Sequence, residues 1–158
     1  MSAFVSGFAL RSQVRSTGRI ELLFVQENIP HPGAGEIVIQ VEASPINPSD
    51  IGVLFGLADF AALTSTGEGF ERVVSAPLSE ERFAALKGRR DVSMPAGNEG
   101  AGLVIAAGAG AEHLLGKRVA AFAGGFYAQY RLLAAQNVLV LPDGIAAKVG
   151  ASAFVNPL

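Results

Sequence analysis

Glu36-Ile37-Val38-Ile39-Gln40-Val41-Glu42-Ala43 is the stretch that decides the fold. Ile37, Ile39 and Val41 alternate with Val38, Gln40 and Glu42. A period of two with one apolar and one mixed face is the mark of a half-buried β-strand. Pro30, Pro32, Gly33 and Gly35 punctuate the chain before it, and Pro45 and Pro48 close it. Working outward, residues 3–10 and 20–26 read as earlier strands. Residues 103–107, 118–122, 127–133 and 138–141 read as later ones. Glycine-rich residues 108–116 form a hairpin connection, and Pro142-Asp143-Gly144 a turn. The expected class is mainly β with short helices.

Two short helices fit between the strands. Ser49 or Asp50 can cap one that runs through Leu54 and ends at Gly56. Residues 59–93 are long and weakly patterned, and are expected to be an insertion or lid. Within them Ser79 can cap a helix with Glu80 and Glu81 in its first turn, where carboxylates complement the helix dipole. Phe83 and Leu86 would share its buried face and Gly88 would end it. It reads as a surface helix packed on the barrel or as a lid over a cleft. Residues 148–154 have helical character, with Val149, Ala153 and Phe154 clustered. The chain breaks off at Asn156-Pro157-Leu158, and residues 1–150 are expected to form the domain proper, with residues 151–158 the start of a connection to a further domain.

Composition narrows the function. Half of the 158 residues are hydrophobic and 16% are charged, which suits a packed body and not a disordered one. A net charge of −2 with both signs interspersed carries no basic footprint for nucleic acid. No apolar run approaches the ~20 residues of a membrane-spanning helix, and the apolar start lacks the basic residues of a signal peptide. Cysteine is absent, which removes disulfides, thiolate metal ligands and a cysteine nucleophile. A cytoplasmic location fits.

His31 and His113 lie in separate turn regions without ligand spacing, so neither a metal site nor a serine triad is supported. Glu80 and Glu81 are adjacent on one helix and point apart, so they are no catalytic pair. Gly108-Ala109-Gly110-Ala111 fails as a dinucleotide fingerprint, because His113 replaces the third glycine and no strand–turn–helix unit follows.

Three segments together carry a family pattern. They are Ile46-Asn47-Pro48-Ser49-Asp50; Gly97-Asn98-Glu99-Gly100-Ala101-Gly102 before an apolar strand; and Gly116-Lys117-Arg118-Val119 with Tyr127-Ala128-Gln129-Tyr130, Leu141-Pro142-Asp143-Gly144 and Val155-Asn156-Pro157-Leu158. In order and spacing the chain resembles the GroES-like domain of the medium-chain dehydrogenase/reductases, a partly open β-barrel. Within that family it is most similar to the quinone oxidoreductases and enoyl thioester reductases.

The resemblance implies the substrate-side domain of an NADPH-dependent oxidoreductase. Such an enzyme passes hydride to a quinone or an activated double bond in a small-molecule substrate. Zinc-dependent relatives carry cysteine at the place of Asn47 and histidine at the place of Asn98. The amides found here are poor zinc ligands, so a zinc-free enzyme is implied. Asn47 and Asn156 are the implied cofactor contacts, and Asp50, Asn98 and Tyr127 are candidates for the pocket. An amide can donate and accept hydrogen bonds with no charge to desolvate. Asn47 before a proline can also simply shape its loop, and Asp50 can serve as a cap or a buried partner. Glu99 between glycines is expected to pin a turn or a buried network, and Tyr130 to pack.

The enoyl reductases carry a tyrosine acid soon after the N-P-S-D motif. Residues 54–59 have none, which speaks against an enoyl reductase and leaves open a scheme in which the protein only positions hydride donor and acceptor and a water supplies the proton. The nucleotide-binding partner domain is expected to lie outside these residues, leaving the chain inactive alone, and a homodimer suits the family. The alternative is a free-standing GroES-like binding or assembly module without redox activity.

Overall fold

A computed structural model describes residues 3–56 and 58–155. It contains two five-stranded sheets in which every paired strand is antiparallel.

The first sheet is built on a long hairpin, β1 (Ala3–Arg15) and β2 (Arg19–Pro30), turned at Gly18 with a φ of 80°. Both strands run past the apolar windows read from the sequence. Much of their extra length is polar, with Val14 and Ile29 buried within it, and cross-strand pairs help to hold it. Arg11 pairs with Glu27, Ser6 donates to Asn28 at 2.6 Å, and the Arg15 guanidinium donates to Glu21 at 2.6 Å. A two-residue hydrophobic period cannot report such pairing.

The second sheet holds the diagnostic strand. Here β3 (Glu36–Ala43) has the expected limits and lies between β7 (Glu99–Ala107) and β9 (Tyr130–Ala134). Beyond β7 come β8 (Arg118–Phe122) and β10 (Val138–Val140). The glycine-rich stretch after β7 does make a hairpin onto β8, as its antiparallel pairing requires. Ile37, Ile39, Val104, Val119, Phe126 and Leu133 form the buried centre of this sheet. A bridge between Ala9 and Ala128 ties it to β1, with Leu10 N–H donating to Tyr127 at 2.7 Å. The two sheets are not closed into a barrel, which agrees with the partly open architecture expected.

Residues 59–93 contribute directly to the first sheet. They supply β4 (Thr64–Thr66) and β5 (Val73–Pro77), and β5 pairs with β2. Helix α2 (Glu80–Ala85) follows, and β6 (Ser93–Pro95) then pairs with β1. Ser79 caps α2, accepting from Arg82 N–H at 3.4 Å. Phe83 and Leu86 pack against Val14, Ile20, Ala58 and Ala76. The helix stops at Ala85, short of Gly88, where a 3-10 turn over Lys87–Arg89 takes over.

Three further boundaries move for physical reasons. Helix α1 (Pro48–Leu54) is capped by Asn47, not by Ser49 or Asp50, because Pro48 occupies the first helical position. Strand β9 begins at Tyr130 and not at 127, since residues 127–129 cross to β1. The Tyr130 ring packs over Gly7, where an added Cβ would come within 2.6 Å of it. Helix α3 covers only Ala147–Gly150, since the backbone N–H groups of Phe154 and Val155 turn to the Glu99 carboxylate instead of to helical carbonyls. Among the described residues no helix is long and apolar enough to cross a membrane.

Candidate functional site

The start of α1, the turn before β7 and the segment at 154–155 converge on a buried polar network. Asp50, at the third position of α1, is 1% exposed. Its carboxylate accepts from the Asn47 N–H at 2.8 Å, which satisfies a donor left over at the helix start. It also accepts from the Asn98 N–H at 3.0 Å and the Tyr127 hydroxyl at 3.1 Å. The Tyr127 hydroxyl lies 3.0 Å from the Pro45 carbonyl as well. Asp50 thus joins α1 to the turn before β7 and to the segment between β8 and β9, and is the buried partner that one reading of the sequence allowed.

Glu99 is a second hub, with no exposure at all. One carboxylate oxygen accepts from Asn47 Nδ2 at 3.1 Å, and the other from the N–H groups of Phe154 and Val155 at 2.9 and 3.0 Å. Ser44 Oγ donates to the Glu99 carbonyl at 2.7 Å. Burying a carboxylate is tolerable when its lone pairs are filled this way. The expectation of a buried network at Glu99 is met.

Beside the network lies a largely apolar recess of about 400 Å³, lined by Ser49, Asn98, Phe122, Phe154 and Val155. Asn98 Nδ2 donates to Ser49 Oγ at 2.8 Å, so the polar edge of the recess is itself organised. Phe122 and Phe154 are 57% and 41% exposed, and Ile46 and Ile51 are exposed nearby in sequence, on and just before α1.

The residues singled out from sequence therefore occupy different layers. Asn98 lines the recess. Asn47, 2% exposed, lies outside its lining, as do Asp50 and Tyr127. Asn156 lies outside the described residues. The walls Phe122, Phe154 and Val155 escaped the sequence reading. Phe122 carried a faint signal as a large aromatic residue following the small Ala120-Ala121 at a strand end. Among the described residues no group of three or more His, Cys, Asp or Glu side chains could hold a metal ion.

Burial, and then the charge and hydrogen bond of Asp50, push the Tyr127 phenol well above its ordinary value near 10. The folded chain therefore keeps this proton where the unfolded chain releases it. The stabilisation is fully present below about pH 10 and is lost as pH rises beyond it. In a Tyr130→Phe background Tyr127 is the only tyrosine. Its ultraviolet titration is expected above pH 10, and Asp50→Asn is expected to move it down. Titration at the ordinary phenol value in both proteins would dissolve the link.

The fold is shared with solved structures whose names describe them as oxidoreductases. A probable oxidoreductase from Mycobacterium abscessus superposes with a TM-score of 0.62 at 21% identity, over 96% of this chain and 40% of its own. A Bacillus thuringiensis protein assigned by name as an NADPH:quinone reductase gives 0.63 at 21%, over 96% and 38%. A mycobacterial protein solved in complex with NADPH gives 0.57 at 23%, over 94% and 36%. The chain thus spans about 40% of the length of such structures. No curated protein sequence matches it. Residues 33–143 match the model of the alcohol dehydrogenase GroES-like domain, and the chain belongs to that family.

Proposed function

We propose that this domain forms the substrate side of a zinc-independent, NADPH-dependent oxidoreductase that reduces a quinone or an activated C=C or C=O bond. The observation that carries the reading is the recess. It joins aromatic walls to a single polar edge made by Asn98 and Ser49. That lining suits a flat ring bearing one carboxamide, the reactive end of a nicotinamide, stacked near a flat acceptor. When bound, the cofactor supplies the hydride. The chain's own part is to hold the acceptor against it and to keep water out, which Phe122 and Phe154 can do once a second body covers them. Their exposure, with that of Ile46 and Ile51, favours such a cover, since apolar surface of this kind marks an interaction face. A nucleotide-binding domain is the cover the family suggests.

The zinc-free reading is supported by how the two amides are engaged. Asn47 Nδ2 donates to Glu99 and Asn98 Nδ2 to Ser49, so each amide acts in the network as a hydrogen-bond donor. Asn47 serves the pocket from the layer behind it. Tyr127 lies outside the lining and holds its proton tightly, so water is the proton source in this scheme. The enzyme would be cytoplasmic and dimeric, with a small-molecule substrate and neither nucleic acid nor membrane as partner.

Amide shift mapping on the ¹⁵N-labelled chain tests this. Added NADPH is expected to move the signals of Ser49, Asn98, Phe122, Phe154 and Val155 without saturating below about 1 mM, because half a site supplies only about 4 kcal/mol. Shifts confined to a different recess, such as that of about 470 Å³ beside Ser16–Arg19 and Leu78, would overturn the assignment. No shifts with either NADPH or a benzoquinone would favour a binding module without redox activity. Robust NADPH turnover by the 158 residues alone would end the half-site reading.

A further inference from the structure

We propose that Glu99 is a positioning residue that clamps the two walls of the recess to each other. One wall is carried by α1, whose capping residue Asn47 donates its side-chain N–H to one Glu99 oxygen at 3.1 Å. The other is the segment bearing Phe154 and Val155, whose backbone N–H groups reach the second oxygen at 2.9 and 3.0 Å. The carboxylate itself is fixed from behind. Glu99 begins β7, pairs with Phe122 on β8, and has its carbonyl held by Ser44 Oγ at 2.7 Å. Ser49, Asn98, Phe122, Phe154 and Val155 all line the recess, so this one side chain sets the spacing of its edges. The inference rests on the reading of the recess as the acceptor and nicotinamide site for its functional meaning, but not for its geometry.

The three donors make the chemistry specific. All are N–H groups, and only a side chain that accepts at both terminal atoms satisfies them together. Glutamine accepts at one atom and donates at the other. In Glu99→Gln, either Asn47 Nδ2 or the pair of backbone N–H groups must therefore face an NH₂. Changing Asn47→Asp as well turns that conflict into a bond. The new carboxylate accepts from the glutamine NH₂, and the glutamine oxygen is left for residues 154 and 155. Asn47→Asp alone sets two carboxylates against each other and should loosen the clamp too.

Native-state hydrogen exchange on the ¹⁵N-labelled 158-residue chain tests the clamp with no cofactor present. It can therefore fail or succeed independently of the NADPH mapping. Glu99→Gln is expected to speed exchange at Phe154 and Val155 by roughly tenfold or more. Val149 and Ala151, whose N–H groups bond to carbonyls of residues 146 and 147 around α3, should change little. The double variant Asn47→Asp/Glu99→Gln should return the two amides close to their original rates. Unchanged exchange in Glu99→Gln would overturn the proposal, as would a uniform rise through α3 that the double variant does not reverse. Should Glu99→Gln unfold, the double variant decides alone: protected amides at 154 and 155 support the clamp and freely exchanging ones overturn it.

Discussion

Replacing Asp50 by alanine is expected to cost about 3 kcal/mol of unfolding free energy, a large fraction of what a domain of this size possesses. The direction is not obvious in advance. A buried carboxylate pays heavily for leaving water, and removing it relieves that penalty. What decides the sign is the set of partners left behind. Asn47 N–H, Asn98 N–H and Tyr127 OH all point at the two oxygens. Alanine offers none of them an acceptor. Only the Tyr127 hydroxyl keeps an alternative, at Pro45. Each buried donor left unmet costs about 1–3 kcal/mol, so two of them outweigh the relief. Asp50→Asn should fall between, at about 2 kcal/mol, because its oxygen can serve Asn47 and Tyr127 while its NH₂ opposes the Asn98 N–H. Urea unfolding followed by far-ultraviolet circular dichroism gives the order. A loss below about 1 kcal/mol in Asp50→Ala would mean that water replaces the carboxylate and that the hub is dispensable.

Asp50 also shows how far the sequence could be read. Its place in an N-P-S-D motif marked it as a cap or a buried partner, because a short acidic residue in a first helical turn has few other uses. That Asn98 and Tyr127 share it could not be read, because those positions are dozens of residues away and their approach is a product of sheet pairing. The same contrast runs through the fold. The limits of β3 and β8 were legible where apolar runs end at turn residues. The polar ends of β1 and β2 were not, because cross-strand pairs such as Arg15 with Glu21 leave no periodic trace. The termination of α3 was invisible for a related reason: residues 154 and 155 have helix-compatible side chains, and a distant carboxylate takes their N–H groups. The recess suffered most. Its polar members Ser49 and Asn98 lie in motifs, whereas Phe122, Phe154 and Val155 are ordinary apolar residues that become walls only when two segments meet.

Gly102→Ala should do still more damage than Asp50→Ala, costing more than about 3 kcal/mol or preventing folding. Gly102 lies in β7, the central strand of the second sheet, paired with Val41 on β3 and Val119 on β8. A Cβ there would be driven into the backbone carbonyl oxygen of Gln40, and it would lie 2.8 Å from the Gln40 carbonyl carbon and 2.9 Å from Val41 Cα. These are backbone atoms, so no rotamer change can make room. The strands must part, and the ladder between β3 and β7 is the frame on which Ile37, Ile39 and Val104 pack. The same movement would carry Glu99 and Ala43 apart at the end of that ladder, and with them the loop leading to Asn47. Gly52→Ala supplies the contrast. It lies within α1 with open space around its would-be Cβ, and alanine there should stabilise by up to about 1 kcal/mol. Thermal unfolding of the two variants side by side separates steric loss from the general effect of removing a glycine. A Gly102→Ala protein as stable as the parent would mean that β3 and β7 do not approach as closely as described, and the register that brings Asn47 to Glu99 would have to be abandoned with it.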